Sequence, residues 1–109
     1  MKQVLVPFTT GVEEIELVTI VEILRRADVK VCMASLDGEA VVGRSGIRLQ
    51  ADQHIRDCVD MSWDMIVLPG GLPNAQLLQE SKIVNDIMCM QAAQQKTVSA
   101  ICAEPVALA

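Results

Sequence analysis

Three groups of residues could carry chemistry, and each lies shortly after a segment that is predicted to be a strand. Cys102 directly follows the apolar run "TVSAI", and Pro105 then suits the first turn of a helix. A cysteine on such a strand-to-helix turn is exposed at the carboxyl edge of the sheet. The positive end of the following helix would favour its thiolate. The alternative is a buried structural cysteine, the commoner fate of this residue type in a strand.

The second group is the glycine pair Gly70 and Gly71, which ends the apolar segment "DMIVLPGG". Because glycine has no Cβ, backbone N–H groups at this turn can approach a ligand and stabilise a developing oxyanion. Taken alone, a plain turn before a helix explains the pair better. The chain has no G-x-G-x-x-G and no P-loop motif, so a nucleotide or phosphate cradle has no support.

The third candidate is Glu16, which lies within the helix predicted to start near Val12. On a helical wheel Glu16 falls inside the apolar arc, whereas Glu14 falls on the polar side and Glu13 lies in the first turn. Burial disfavours the charged form of a carboxyl group, so a buried Glu16 would need to be neutral or well hydrogen-bonded. An exposed edge or a subunit interface are the alternatives. Glu13 and Glu14 are expected simply to suit the helix dipole.

The elements that position these residues alternate between strand and helix. Strands are predicted near residues 2–7, 29–36, 63–71 and 97–101, with helices near residues 12–26 and 75–95. Thr10 and Glu13 have capping-box spacing, and Ser81 could cap the second of two consecutive helices. This order predicts an open, parallel, doubly wound α/β sheet, which binds ligands at its carboxyl edge. All three candidate groups are expected to converge at that edge.

Two shorter segments depart from this alternation. "DGEAVVGRSGIRLQAD" contains short β-prone pieces separated by glycines and predicts a small β-hairpin. "HIRDCV" is expected to form a helical turn, and His54 within it is expected to have a surface role.

Composition restricts the partners of the chain. The 109 residues suffice for one domain, and a net charge of −5 with only two aromatic residues argues against nucleic acid as a ligand. No apolar run is long enough to span a membrane, and the N-terminus lacks signal-peptide features, so a cytoplasmic protein is expected. Because the last helix has barely begun at Ala109, we expect the chain to be part of a longer protein.

The four cysteines show no C-x-x-C pair and no histidine spaced for zinc. Reduced thiols are expected in the cytosol, although their even number leaves disulfides open. We expect Cys32 to belong to a strand core and Cys58 to be partly exposed. Cys89, with its neighbouring methionines, is expected to pack a helix face on the sheet.

The motifs "G-x-E-E-x-E", "D-x-I-V-L-P-G-G" and "A-I-C-A-x-P" occur in order along the chain. With this pattern the sequence resembles the ThiJ/PfpI superfamily, most closely the branch containing the parkinsonism-associated protein deglycase and its bacterial relatives. The resemblance spans residues 1–109. It implies one flavodoxin-like α/β domain, a doubly wound parallel sheet with a small β-hairpin excursion, incomplete at its C-terminus.

The resemblance also implies a site. Cys102 would be the reactive residue, Glu16 would hydrogen-bond its sulfur, and the pocket would be lined by Gly70, Gly71 and Ala103. Members of the family are usually homodimers and need no metal or organic cofactor. The implied activities are glyoxalase or deglycase chemistry on reactive carbonyls, redox sensing and chaperoning. A cysteine peptidase-like hydrolase and an inactive structural fragment are the remaining alternatives.

Three positions depart from the family pattern. Glu104 replaces a small residue after "A-I-C-A"; pointing inward it would oppose ionisation of Cys102, and pointing outward it would suit the next helix. In the hairpin, the family has a three-residue motif with arginine at its middle position. This chain has Arg44-Ser45-Gly46 there, with serine at the middle position. The histidine often found near the cysteine would lie beyond Ala109.

Overall fold

The computed structural model describes residues 2–94 and 97–100, the last four as backbone only. The strands are β1 (Gln3–Phe8), β2 (Lys30–Ser35), β3 (Ala40–Val42), β4 (Arg48–Gln50), β5 (Gln53–His54), β6 (Met65–Leu68) and β7 (Thr97–Ala100). The helices are α1 (Glu14–Arg26), α2 (Asn74–Glu80) and α3 (Lys82–Ala93), with one 3₁₀ helix (Ile55–Cys58).

Five strands form one sheet in the order β5-β2-β1-β6-β7, and every neighbouring pair is parallel. Because a parallel pair needs a long crossover, α1 connects β1 to β2, and α2 and α3 connect β6 to β7. All carboxyl ends therefore lie at one edge of the sheet. This confirms the predicted α/β fold with a parallel central sheet.

Hydrophobic clusters cover both faces of the sheet, as the pleat of β1 shows. Its side chains alternate, with Val4, Val6 and Phe8 on one face and Leu5 on the other. The first face packs against α1 and β3 through Leu17, Val21 and Val41. The second packs against the 3₁₀ helix, α2 and α3 through Ile55, Cys58, Leu78, Val84 and Ile87.

The structure confirms the smaller predicted elements. Strands β3 and β4 pair antiparallel as a separate two-stranded hairpin. The predicted helical region is indeed two helices, and the Oγ of Ser81 accepts a hydrogen bond from the Val84 N–H at 3.3 Å. The predicted helical turn is the 3₁₀ helix, whose start is capped by His54 Nδ1, an acceptor for the Arg56 N–H at 3.2 Å.

One local prediction was wrong, and one element was missed. Thr10 does not cap α1; Glu13 occupies the N-cap position without a side-chain capping bond. The edge strand β5 was not predicted, because two residues are too few to show a β pattern and only their pairing with β2 defines them. Among the described residues no helix is long and apolar enough to cross a membrane.

Candidate functional site

The first turn of α1 lies directly over the loop that follows β6. The N–H of Glu13 donates to the carbonyl of Gly70 at 2.9 Å. The N–H of Gly70 in turn donates to Oε1 of Glu16, also at 2.9 Å. These two hydrogen bonds hold the Glu16 carboxylate at the carboxyl edge of the sheet. Glu16 is half-buried, which is less burial than its place inside the apolar arc predicts.

The buried carboxylate of α1 is Glu14, at 4% exposure, rather than Glu16. Glu14 Oε2 accepts from the N–H of Ser45 at 2.8 Å and of Ile47 at 3.2 Å, while Oε1 has no partner among the described residues. The prediction that Glu14 faces solvent was wrong, since the hairpin covers that side of the helix start. A Cβ at Gly43 would overlap the Glu14 side chain, which explains the glycine there.

Competing effects set the ionisation of Glu14. Burial alone would raise the pKa of Glu14, because the charged form loses its hydration. Hydrogen bonds from the backbone N–H groups of Glu14, Ile47 and Ser45, together with the charge of Arg44, outweigh burial and lower the pKa below its ordinary value. Glu14 is thus an ionised anchor between α1 and the hairpin.

Gly71 is required by the close approach of two loops. Its φ of 102° lies in the left-handed region that favours glycine. A Cβ there would also collide with backbone atoms of Gly11, Val12 and Glu13. The packing of the loop after β6 against the loop after β1 therefore accounts for Gly71 without any ligand.

Asn74 is a residue of this region that the sequence analysis missed. It is fully buried, and its Oδ1 accepts from the N–H of Thr9 at 2.8 Å. Its Nδ2 donates to the carbonyls of Pro69 at 2.8 Å and Gly70 at 3.2 Å. An asparagine at a predicted helix start after a proline was the signal that could have identified it. Asn74 fixes the two loops that carry the candidate site.

Cys102, Ala103 and Glu104 lie outside the described residues, and their predicted roles stay predictions. The described backbone of β7 ends at Ala100, which is in register with Leu68 of β6. The end of β7 is therefore next to the strand that leads into Gly70 and Gly71. Cys102 follows Ala100 by two positions in the sequence.

The structure also tests the remaining side-chain predictions. Cys58 is fully buried, so the expected partial exposure was wrong; it packs under β2 and β6. Cys32, expected in the core, is half-buried. In the methionine–cysteine stretch of α3 only Met88 packs on the core, whereas Cys89 is exposed. Arg44 reaches Glu13, with 3.9 Å between Nη1 and Oε2.

No cluster of three or more His, Cys, Asp or Glu side chains in residues 2–94 is placed to hold a metal ion. The described part of the site offers a carboxylate held on a backbone amide.

The sequence model of the DJ-1/PfpI family matches residues 2–109. The chain belongs to the DJ-1/PfpI family. Protein dj-1beta of Drosophila melanogaster is 36% identical over 109 residues, which cover 99% of this chain and 58% of that protein. The structure of oxidized Toxoplasma gondii DJ-1 superposes with a TM-score of 0.96 at 37% identity, covering 98% of this chain and 59% of that one.

A further relative carries an activity in its name. The glutathione-independent glyoxalase DJR-1.2 of Caenorhabditis elegans is 30% identical over 96 residues, which cover 88% of this chain and 51% of that protein. The chain thus spans little more than half the length of these relatives.

Proposed function

We propose that the full protein is a cysteine-dependent enzyme that acts on reactive carbonyls, of the glyoxalase or deglycase type. The observation that carries the proposal is the Glu16 carboxylate, held on the Gly70 N–H at the carboxyl edge beside the end of β7. Family membership and the glyoxalase name of the nematode relative support the same reaction class. Cys102 is the proposed nucleophile and Glu16 the proposed proton-transfer group.

The proposed reaction converts a 2-oxoaldehyde and water into a 2-hydroxy acid. The Cys102 thiolate attacks the aldehyde carbon, a C–S bond forms, and the carbonyl electron pair moves to oxygen, which takes a proton. Glu16 then moves the proton on this carbon to the neighbouring carbonyl carbon, while the hydroxyl proton passes to the oxygen of that neighbouring carbonyl, which gives the thioester of the 2-hydroxy acid. Water cleaves the C–S bond, which releases the acid and restores the thiol.

Gly70 and Gly71 are proposed to have different roles in this reaction. The N–H of Gly70 already donates to Glu16 and so orients the proton-transfer group. Within residues 2–94 and 97–100 no group accepts from the N–H of Gly71. We therefore assign the oxyanion contact to the Gly71 amide, with Ala103 as a further pocket residue.

Formation of lactate from methylglyoxal by the full protein tests this function. Cys102→Ser should reduce the rate to that of the uncatalysed reaction, and Glu16→Gln should lower kcat by roughly 10²–10⁴-fold. Cys89→Ser is the matched control, since Cys89 is exposed on α3, and it should leave the rate unchanged. Lactate formation that persists in Cys102→Ser would remove the proposal.

A redox-responsive stress protein that uses the same cysteine is the second candidate. The observation favouring it is that the superposed Toxoplasma gondii protein was solved in an oxidized form. Hydrogen peroxide should then add oxygen to Cys102 before Cys89, by way of sulfenic and sulfinic acids. Oxidation without any turnover of methylglyoxal would favour this candidate over the enzyme.

We further propose that the protein is a cytoplasmic homodimer that pairs through the outer face of α1. Ile15 and Val18 lie on that face at 75% and 43% exposure. Ile47 of the hairpin, 54% exposed, adjoins them through its hydrogen bond to Glu14. Apolar side chains this exposed on adjoining elements are typical of an interface between subunits.

A further inference from the structure

Cys32 on β2 and Cys58 at the end of the 3₁₀ helix lie close together in the fold. Both thiols donate to one acceptor, Oε1 of Gln53, at 3.7 Å from Cys32 Sγ and 3.4 Å from Cys58 Sγ. Cys58 Sγ also lies 3.7 Å from the carbonyl oxygen of His54. Cys58 belongs to the hydrophobic cluster against which Cys32 packs. The fold thus places both sulfur atoms against the same amide oxygen.

The two thiols have different surroundings. Cys58 is fully buried, whereas Cys32 lines a surface pocket of about 250 Å³ that it shares with Arg25 and Lys30. The neighbouring Cys58 thiol, followed by the charges of Arg25 and Lys30, lowers the pKa of Cys32 against burial and the charge of Asp52. The neighbouring Cys32 and burial raise the pKa of Cys58. Because Cys32 lines the pocket and Cys58 is buried, Cys32 is the thiol that a reagent from solvent meets first, and the pKa directions agree with this assignment.

We propose that Cys32 and Cys58 form a reversible disulfide when the protein meets a hydroperoxide, at a redox site separate from Glu16. The pocket beside Cys32 is also lined by Gln3 and Lys30, the first residues of β1 and β2. It therefore opens at the amino ends of the strands, whereas Glu16 lies at their carboxyl ends. The disulfide does not depend on any activity of Cys102.

The chemistry consumes one hydroperoxide for each disulfide. The Cys32 thiolate attacks the peroxide oxygen, the S–O bond forms, the O–O bond breaks, and the departing oxygen takes a proton. Cys58 then loses its proton as its sulfur attacks Cys32, the S–O bond breaks, and water leaves. Two thiols are oxidised by two electrons, and hydrogen peroxide is reduced to two waters.

The geometry requires one local movement. A disulfide brings its sulfurs to about 2.05 Å, so the Gln53 amide that both thiols contact must withdraw. Gln53 is exposed at the sheet edge, and its side chain can turn into solvent without disturbing the core. The bond would connect β2 to the 3₁₀ helix.

Peptide mapping of the full protein tests the proposal. Treatment with stoichiometric hydrogen peroxide is followed by alkylation and trypsin digestion without reductant. Cleavage after Lys30, Arg44, Arg56 and Lys82 places the two cysteines in separate peptides, residues 31–44 and 57–82. We expect these two peptides to be joined with the loss of two hydrogens, and to separate after reduction. Proximity should favour this link by at least about tenfold over any link that contains Cys89.

Matched variants identify the two partners. Cys89→Ser should retain the link, and Cys32→Ser should abolish it. Cys58→Ser should leave a sulfenic acid on Cys32 that a dimedone-type reagent traps. The proposal is overturned if peroxide leaves the two peptides of the parent protein unlinked, with their cysteines either alkylated or further oxidised. Because this result comes from the parent protein, it holds even if Cys58→Ser fails to fold.

Discussion

Glu14 and Glu16 lie two residues apart on α1, yet their carboxylates contact different segments. Glu14 points back into the hairpin and accepts from Ser45 and Ile47. Glu16 points forward to the loop after β6 and accepts from Gly70. One carboxylate therefore anchors the start of the helix, whereas the other is held at the carboxyl edge by one oxygen, and no residue in 2–94 hydrogen-bonds its second oxygen.

Replacement of the anchor should change the pH dependence of stability. Because the folded-state pKa of Glu14 lies below the ordinary value of 4.5, its stabilising contribution is complete above that pH. The contribution is lost as pH falls through the folded-state pKa. Glu14→Gln should therefore lower the midpoint of urea unfolding at neutral pH, and by less in acid.

Glu22→Gln is the control for this experiment. Glu22 is an exposed carboxylate on the same helix, paired with Arg26 at 3.7 Å. Exposed pairs contribute little to stability, so its midpoint should hardly move. Equal midpoints for Glu14→Gln and Glu22→Gln at neutral pH would refute the anchor.

Gly71→Ala tests the contact between the two loops of the site. Both Gly71 and Gly46 have positive φ, at 102° and 89°, but only a Cβ at Gly71 meets other backbone atoms. Positive φ alone costs about 1–3 kcal/mol. Gly46→Ala therefore measures the loss of stability from positive φ without an overlap of backbone atoms. Urea unfolding should show a clearly larger loss for Gly71→Ala, and similar losses would contradict the described loop packing.

At the scale of elements, Asn74 joins the end of β1 to the end of β6. Asn74→Ala would leave the N–H of Thr9 and the carbonyl of Pro69 buried without a partner. We expect a loss of about 1–3 kcal/mol per unsatisfied group in urea unfolding. Lactate formation should fall as well, because Gly70 and Glu16 would shift.

The control for this change is Asn85→Ala. Asn85 also donates from Nδ2 to two carbonyls, those of Gln79 and Ser81, but it lies in the first turn of α3 and contacts the junction with α2. Its replacement should reduce stability moderately and leave turnover unchanged. Turnover that survives Asn74→Ala as well would show that Asn74 does not position the site.

The sequence predicted the elements better than the burial of their charged residues. The alternation of strands and helices, the hairpin and the cap at Ser81 all follow from local patterns, and the structure has them. The wheel placed Glu16 inside the apolar arc and Glu14 on the polar side because it treats α1 alone. The neighbour that buries Glu14 is the hairpin around Ser45 and Ile47, whose position depends on long-range packing.

At the scale of the whole molecule, the proposed dimer accounts for the exposed apolar side chains on α1. Ile15→Glu would place a charge at the centre of that interface and should convert the full protein to a monomer in light scattering. Ile23→Glu is the control, since Ile23 is similarly exposed at 60% but lies two turns further along the helix. A monomeric parent protein, or a dimer that survives Ile15→Glu, would contradict the proposed pairing.

The central claim is that Glu16 and Cys102 form one site. Its most direct test is the rate of alkylation against pH, measured peptide by peptide for every cysteine, in the full protein and in Glu16→Gln. We predict that Cys102 reacts with an apparent pKa well below the ~8.5 of a free thiol, and that Glu16→Gln shifts this value. A Cys102 that stays inert, titrates as a free thiol, or ignores Glu16→Gln would contradict the account.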